Sequence, residues 1–220
     1  MLKPLPNIDN VVAEVAQHMS NVYKNYQRLN PDVHANYGKG AALIAFRLGL
    51  EYFVTTRDIL ANGHVISGGS LARTAFENMI DLFYIYDKPE KYPKAYVESM
   101  EAYRKLMAAA ANKVSNTLAQ SRELKQANKW TNATIEQRIT AISGSFLTLY
   151  DMLSYFSHPN PGSLTYITNE KLQASQLNLL KQANCLTALS LMSVVLNHSD
   201  ITSTKREELD NIAQKMGTQL

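Results

Sequence analysis

Cysteine is almost missing: Cys185 is the only one in 220 residues. No internal disulfide can form, so the chain is no small crosslinked secreted scaffold, and a reducing, cytoplasmic setting is expected. Charge is scarce too, at 19% of residues against roughly 25% in an average soluble domain. The 22 Lys and Arg exceed the 19 Asp and Glu by only three, too small a surplus to argue for a nucleic-acid partner from charge alone. This deficit points to a large interior or a surface hidden by self-association, and a homodimer is the expected assembly. No basic segment followed by an apolar run opens the chain, so no secretory signal is expected. Its least charged stretch, 182–199, carries Gln182, Asn184, Thr187, Ser190, Ser193, Asn197 and His198. Each is expensive in hydrocarbon, so the stretch reads as a buried helix with no membrane role.

Several chemistries lack their motifs. The only lysine preceded by glycine is Lys39, outside any phosphate-binding loop, and no dinucleotide fingerprint follows a strand. The five histidines, His18, His34, His64, His158 and His198, stand far apart without metal-ligand spacing. Neither a metal nor an organic cofactor is expected. Cys185, in Asn-Cys-Leu-Thr-Ala-Leu, reads as a core residue and not a nucleophile.

Prolines fall at Pro4 and Pro6, Pro31, Pro89 and Pro93, and Pro159 and Pro161. Apolar residues between them recur every three or four positions, the period of helices. The pattern predicts helices over 8–29, 39–61, 66–87, 90–127, 131–158, 169–198 and 203–216. Asn30-Pro31, Asn62-Gly63 and Asp87-Lys88-Pro89 act as stops, and Pro93 marks a local irregularity. Thr131-Asn132 is the expected opening of the fifth helix. The only β-like run, 163–167, is isolated. An all-α bundle of six or seven helices with short connections follows, one domain over 1–220. Its motif-bearing core covers about 37–200, with helices 8–29 and 203–216 packing on it. The segment 112–133 is polar almost all round and reads as the tip of a projecting helical hairpin.

Two polar constellations stand out. In Ser70-Leu-Ala-Arg73-Thr-Ala-Phe-Glu77, residues 70, 73 and 77 lie within about 60° of one another on a helix. Asp81 and Tyr84 continue that stripe among apolar neighbours. Arg47 and Glu51 repeat the spacing on the preceding helix, where the two pairs would face each other, and Gly49, Gly68 and Gly69 would permit close helix approach. In Tyr150-Asp151-Met-Leu-Ser154-Tyr-Phe-Ser157-His158, residues 151, 154 and 158 share a face. His158 at a helix C-terminus favours a protonated imidazole, suited to general acid or phosphate-binding work.

These motifs carry a resemblance. Leu71-x-Arg73-x-x-x-Glu77, Tyr84-Ile85-Tyr86-Asp87-x-Pro89-Glu90 and Tyr150-x-x-Leu153-Ser154-x-x-x-His158-Pro159 resemble, over about 40–160, an uncharacterised family of bacterial and archaeal helical proteins. A looser likeness is to the HEPN superfamily, helical bundles that often act as metal-independent ribonucleases in toxins and phage defence. Here His158 ends its helix where the HEPN histidine opens one, and Asp151 or Met152 stands where its arginine is sought. Three readings follow. The first is a ligand-binding or regulatory module, in a bacterial stress or phage-defence setting, whose Arg/Glu/His site takes a small anionic ligand, nucleotide or RNA. The second is a HEPN-like ribonuclease with His158, Arg73 and Glu77 catalytic and Tyr150, Asp151 and Ser154 positioning; Ser70 and Tyr84 join these last three as the expected binding residues of the site. The third is a structural dimer in which these residues only fix helix register.

Overall fold

Asn36 opens the core. Its backbone is extended and its side-chain oxygen accepts from the Lys39 amide at 3.1 Å, satisfying one orphan donor of the following helix. In a computed structural model, residues 7–29, 32, 34–111, 130–157, 169–197 and 211 are described. Among them the order is α1 (Ile8–Leu29), α2 (Tyr37–Ala61), α3 (Val65–Asp87), α4 (Tyr92–Ala111), α5 (Ile135–Ile142), α6 (Phe146–Ser157) and α7 (Glu170–Asn197), with no strand. The chain is an all-α bundle.

Turn chemistry at the ends of the first helices follows the sequence closely. α2 ends at Asn62-Gly63, where Gly63 adopts φ 79° and the His64 amide reaches back to the Ile59 carbonyl at 3.2 Å. Only glycine takes that backbone conformation without penalty. Pro93 causes no irregularity within a helix. It is the second residue of α4, a position whose amide has no intrahelical partner to lose. The expected helix 131–158 is two helices. Thr134, not Thr131-Asn132, caps α5 through a reciprocal box with Gln137, and α5 stops at Ser143, whose backbone is extended. Ser143-Gly144-Ser145 then turns into α6, because three weak helix formers in a row give the chain little reason to continue. The β-like run 163–167, the polar segment 112–129 and the terminal helix 203–216 lie outside the described residues, apart from helical Asn211.

α3 is the centre of the bundle, packed by α2, α4, α5, α6 and α7. α1 covers the other side of α2 and α7 with Val11, Val12, Val15, Met19, Val22 and Tyr26 buried on one face. Two buried amides brace α2 from both neighbours: Asn78 of α3 donates to the Ala45 carbonyl at 2.8 Å, and Asn184 of α7 to the Phe53 carbonyl at 3.2 Å. Within α7, Gln173–Leu196 is long and apolar enough to cross a membrane, and most of it is buried against the rest of the bundle. Close helix approach occurs at the expected glycines. A Cβ on Gly49 would overlap Leu191, one on Gly68 would overlap Leu60, and one on Gly69 would overlap Phe156.

Candidate functional site

No residue of α3 between Gly68 and Tyr86 is exposed, so its polar stripe of Ser70, Arg73, Thr74, Glu77, Asp81 and Tyr84 is half-buried between neighbouring helices. Arg73 is the best-held member. Its Nε donates to Glu77 Oε1 at 2.9 Å, one helical turn along. Its Nη2 donates to the Tyr150 hydroxyl at 2.7 Å, and the guanidinium carbon lies 4.9 Å from the Tyr150 ring centroid. Phe76 supports this arrangement from below, edge-on to Phe146 at 5.9 Å and tilted against Tyr150 at 6.4 Å. The side chains of Arg73 and Glu77 keep 21% and 33% exposure, so the pair is partly dehydrated yet open to solvent.

The charges respond to one another. Burial works against the Arg73 cation, but Glu77 and Tyr150 outweigh it and hold its pKa above the ordinary value. Burial raises the Tyr150 pKa, Glu77 adds to the rise, and Arg73 opposes it. Tyr52, across on α2, is raised by burial and then by Glu51, Tyr103 and Glu77. Tyr150→Phe should cost about 1–2 kcal/mol in stability, because it removes a hydrogen bond to a charged, partly buried donor. Urea unfolding with an unchanged slope would measure it.

Further along the stripe a second pair joins α3 to α5. Arg138 Nε lies 2.9 Å from Asp81 Oδ1, with side chains 15% and 21% exposed. Arg138 also donates Nη1 to the Ala133 carbonyl at 2.8 Å and sits 5.6 Å over the Trp130 ring. Trp130 in turn meets Tyr84, Tyr92 and Tyr96 edge-on at 6.2, 5.8 and 5.5 Å. Burial pushes the Asp81 carboxyl up to about 6; Arg138 pulls it down, and Glu77 adds to the rise. Glu136, the second residue of α5, is lowered first by its own backbone amide and the Thr134 hydroxyl and then by Arg73 and Arg138, with burial opposing weakly.

The structure thus brings Arg73, Glu77 and Tyr150 together. His158 lies outside the described residues. Ser154 has an enclosed hydroxyl without a hydrogen-bond partner among them, whereas Asp151, expected to share its setting, is exposed. Ser70 is half-buried, and its carbonyl accepts from Thr74 Oγ1 at 3.2 Å. Tyr84 belongs to the aromatic cluster and not to the Arg73 site: it stacks on Tyr92 at 5.0 Å, with the two hydroxyls 3.3 Å apart. Arg47 and Glu51, the second pair of the sequence pattern, lie on α2. Both are exposed, because helical rotation turns that face of α2 outward, and Arg57 pairs instead with Asp58. Cys185 is fully buried and its thiol is pushed up to about 12, which leaves no thiolate for nucleophilic work near neutral pH. Among the described residues no group of three His, Cys, Asp or Glu is placed to hold a metal ion.

Arg138, Glu136 and Trp130 were not singled out by sequence reasoning. One signal was there: Arg138 is the only Lys or Arg between Trp130 and Glu170, an isolated cation in an apolar stretch. Such a residue tends to have a specific partner.

No curated protein and no solved structure shows a significant match to the chain. A family model does match, over residues 39–175, a span that contains Arg73, Glu77, Asp81, Arg138 and Tyr150. The chain belongs to that family, the family of unknown function DUF5677.

Proposed function

We propose that this protein is a helical binding module whose Arg73 site takes the anionic group of a small ligand, with a nucleotide phosphate as the fitting chemistry. The observation that supports the reading is the Arg73 guanidinium itself, held from two sides by Glu77 and Tyr150 while a fifth of its side chain stays in contact with solvent. An arginine used only for helix stability contributes a few tenths of a kcal/mol on an open surface, and needs no partner from a second helix. An arginine whose rotamer is already fixed loses less entropy when an anion binds, and its planar fork suits phosphate oxygens. The Tyr150 hydroxyl on that guanidinium is of the type that completes an anion site.

The test is a thermal-shift titration with inorganic phosphate, AMP and GMP. The expected result is a rise in melting temperature that saturates with ligand and is lost in Arg73→Lys, which keeps the charge and removes the fork. A purely structural role would give no rise with any of the three and a lowered melting temperature for Arg73→Lys. Cleavage of RNA by the wild type, abolished in His158→Ala with the fold intact, would overturn the binding reading in favour of the ribonuclease.

A further inference from the structure

α5 lies across the α3 stripe, with Ile135 and Ile142 packed half-buried against the core. Ile139 is its only fully buried residue, while Glu136, Gln137, Thr140 and Ala141 face solvent. At its C-terminal end, Gly144 has open space around it. The polar attachment is Arg138 against Asp81, and it is imperfect: Asp81 Oδ1 and Arg138 Nε are both enclosed, in ionic contact at 2.9 Å, and neither completes a hydrogen bond. A buried ion pair offsets its desolvation only when its geometry and its hydrogen bonds are complete. An ionised Asp81 is therefore poorly compensated here, whereas with Asp81 protonated the Arg138 cation keeps the Ala133 carbonyl and the Trp130 ring as partners. Of the charged groups facing it, Glu77 adds to this and Arg138 opposes it. Glu77 on α3 is acidic, and Tyr96 on α4 is kept neutral by burial, with Asp81 and Tyr52 adding to the effect. On α5 itself, Arg138 is the one cation facing Asp81, with acidic Glu136 two residues away.

We infer that α5 is a strap over the α3 stripe whose hold is set by the protonation of Asp81, tight when Asp81 is neutral and looser when it is ionised, so that it carries Glu136 toward or away from Arg73. The part concerning Glu136 rests on the Arg73 site being a binding site. The shift of Asp81 up to about 6 supports the direction, since burial is its largest cause and outweighs the pull of Arg138. Glu136 lies in the field of both guanidinium groups, so a docked strap adds a second carboxylate, beside Glu77, that a ligand anion at Arg73 must compete with.

Trp130, the only tryptophan in the chain, packs on Arg138 and reports on the strap directly. The experiment follows its emission in the full chain from pH 8 to pH 5, in wild type and in Asp81→Asn, alongside sulfate affinity by calorimetry. Sulfate is chosen because its charge does not change over that range. The expected result is a blue shift as the wild type is acidified through about 6, with Asp81→Asn blue-shifted throughout and flat. At pH 7.5, Glu136→Gln should bind sulfate roughly threefold more tightly and Asp81→Asn roughly threefold more weakly, the scale of one exposed charge interaction. A flat wild-type profile, or an unchanged transition in Asp81→Asn, overturns the strap. A clear emission transition without sulfate binding overturns the Arg73 site and upholds the strap's titration.

Discussion

Gly69→Ala should lower the stability of the protein by about 3 kcal/mol, the upper end of what overpacking a helix contact costs. For a chain of this length that is a fall of roughly 6–12 °C in melting temperature. The added Cβ would overlap Phe156 Cβ outright and lie 2.7 Å from Phe156 Cγ. Both atoms sit close to the α6 backbone, so no rotamer change relieves the clash and α6 itself has to move outward. Gly49→Ala is the matched control. There the severe overlap is with a terminal methyl of Leu191, which can rotate away, and Asn78 Nδ2 stands at 3.3 Å. Alanine also gains up to about 1 kcal/mol over glycine in a helix interior, so that variant should be nearly neutral. Thermal unfolding of the two variants side by side makes the comparison. Equal losses at both positions would mean that α6 is not seated against α3 as closely as Phe156 indicates.

The consequence for the site follows from the same contact. Tyr150 rides on α6 and reaches Arg73 at 2.7 Å, and an outward move of even about 1 Å stretches that bond beyond the useful range. Gly69→Ala should therefore also remove any phosphate-induced rise in melting temperature, although Gly69 carries no polar atom to a ligand.

What the sequence made legible here was whatever is encoded locally. Asn62-Gly63 stops α2 by backbone geometry, Asp87-Lys88-Pro89 stops α3, and Arg73 and Glu77 pair because a spacing of four puts them one turn apart. The break inside 131–158 was local as well, in Thr134-x-x-Gln137 and Ser143-Gly144-Ser145. It was hidden by an apolar period that runs on through α6, where Leu147, Leu149 and Leu153 keep the rhythm of a single helix. Contacts between distant segments had no such signature. Nothing near Asp81 announces Arg138, and nothing near Tyr150 announces that its hydroxyl meets Arg73. Composition and periodicity specify which faces are buried; they do not specify which buried polar groups meet, because any of several helix rotations would bury the same apolar area.

Asp81 provides the second large effect, and its sign is the informative part. A carboxyl raised from its ordinary 3.8 to about 6 in the folded protein favours the fold most when protonated. This contribution is complete below about pH 4 and is lost as the pH rises through about 6, a swing of about 3 kcal/mol at about 1.4 kcal/mol for each tenfold. The usual paired carboxylate behaves in the opposite way, strengthening the fold as pH rises. Asp81→Asn holds the neutral form at every pH, so other titrating groups cancel when the variant is compared with wild type. The expected result is that the two proteins have similar melting temperatures at pH 4 and that the variant is the more stable by roughly 6–12 °C at pH 7. A variant less stable than wild type at pH 7 would mean that the Arg138 contact outweighs the burial of Asp81. The pair would then be an ordinary structural salt bridge, because removing one partner of a well-compensated buried pair costs several kcal/mol. The placement of Asp81 Oδ1 and Arg138 Nε, enclosed and in contact without a completed hydrogen bond, argues for the first outcome: attraction at 2.9 Å is partly wasted when neither the donor nor the acceptor is satisfied along its own axis.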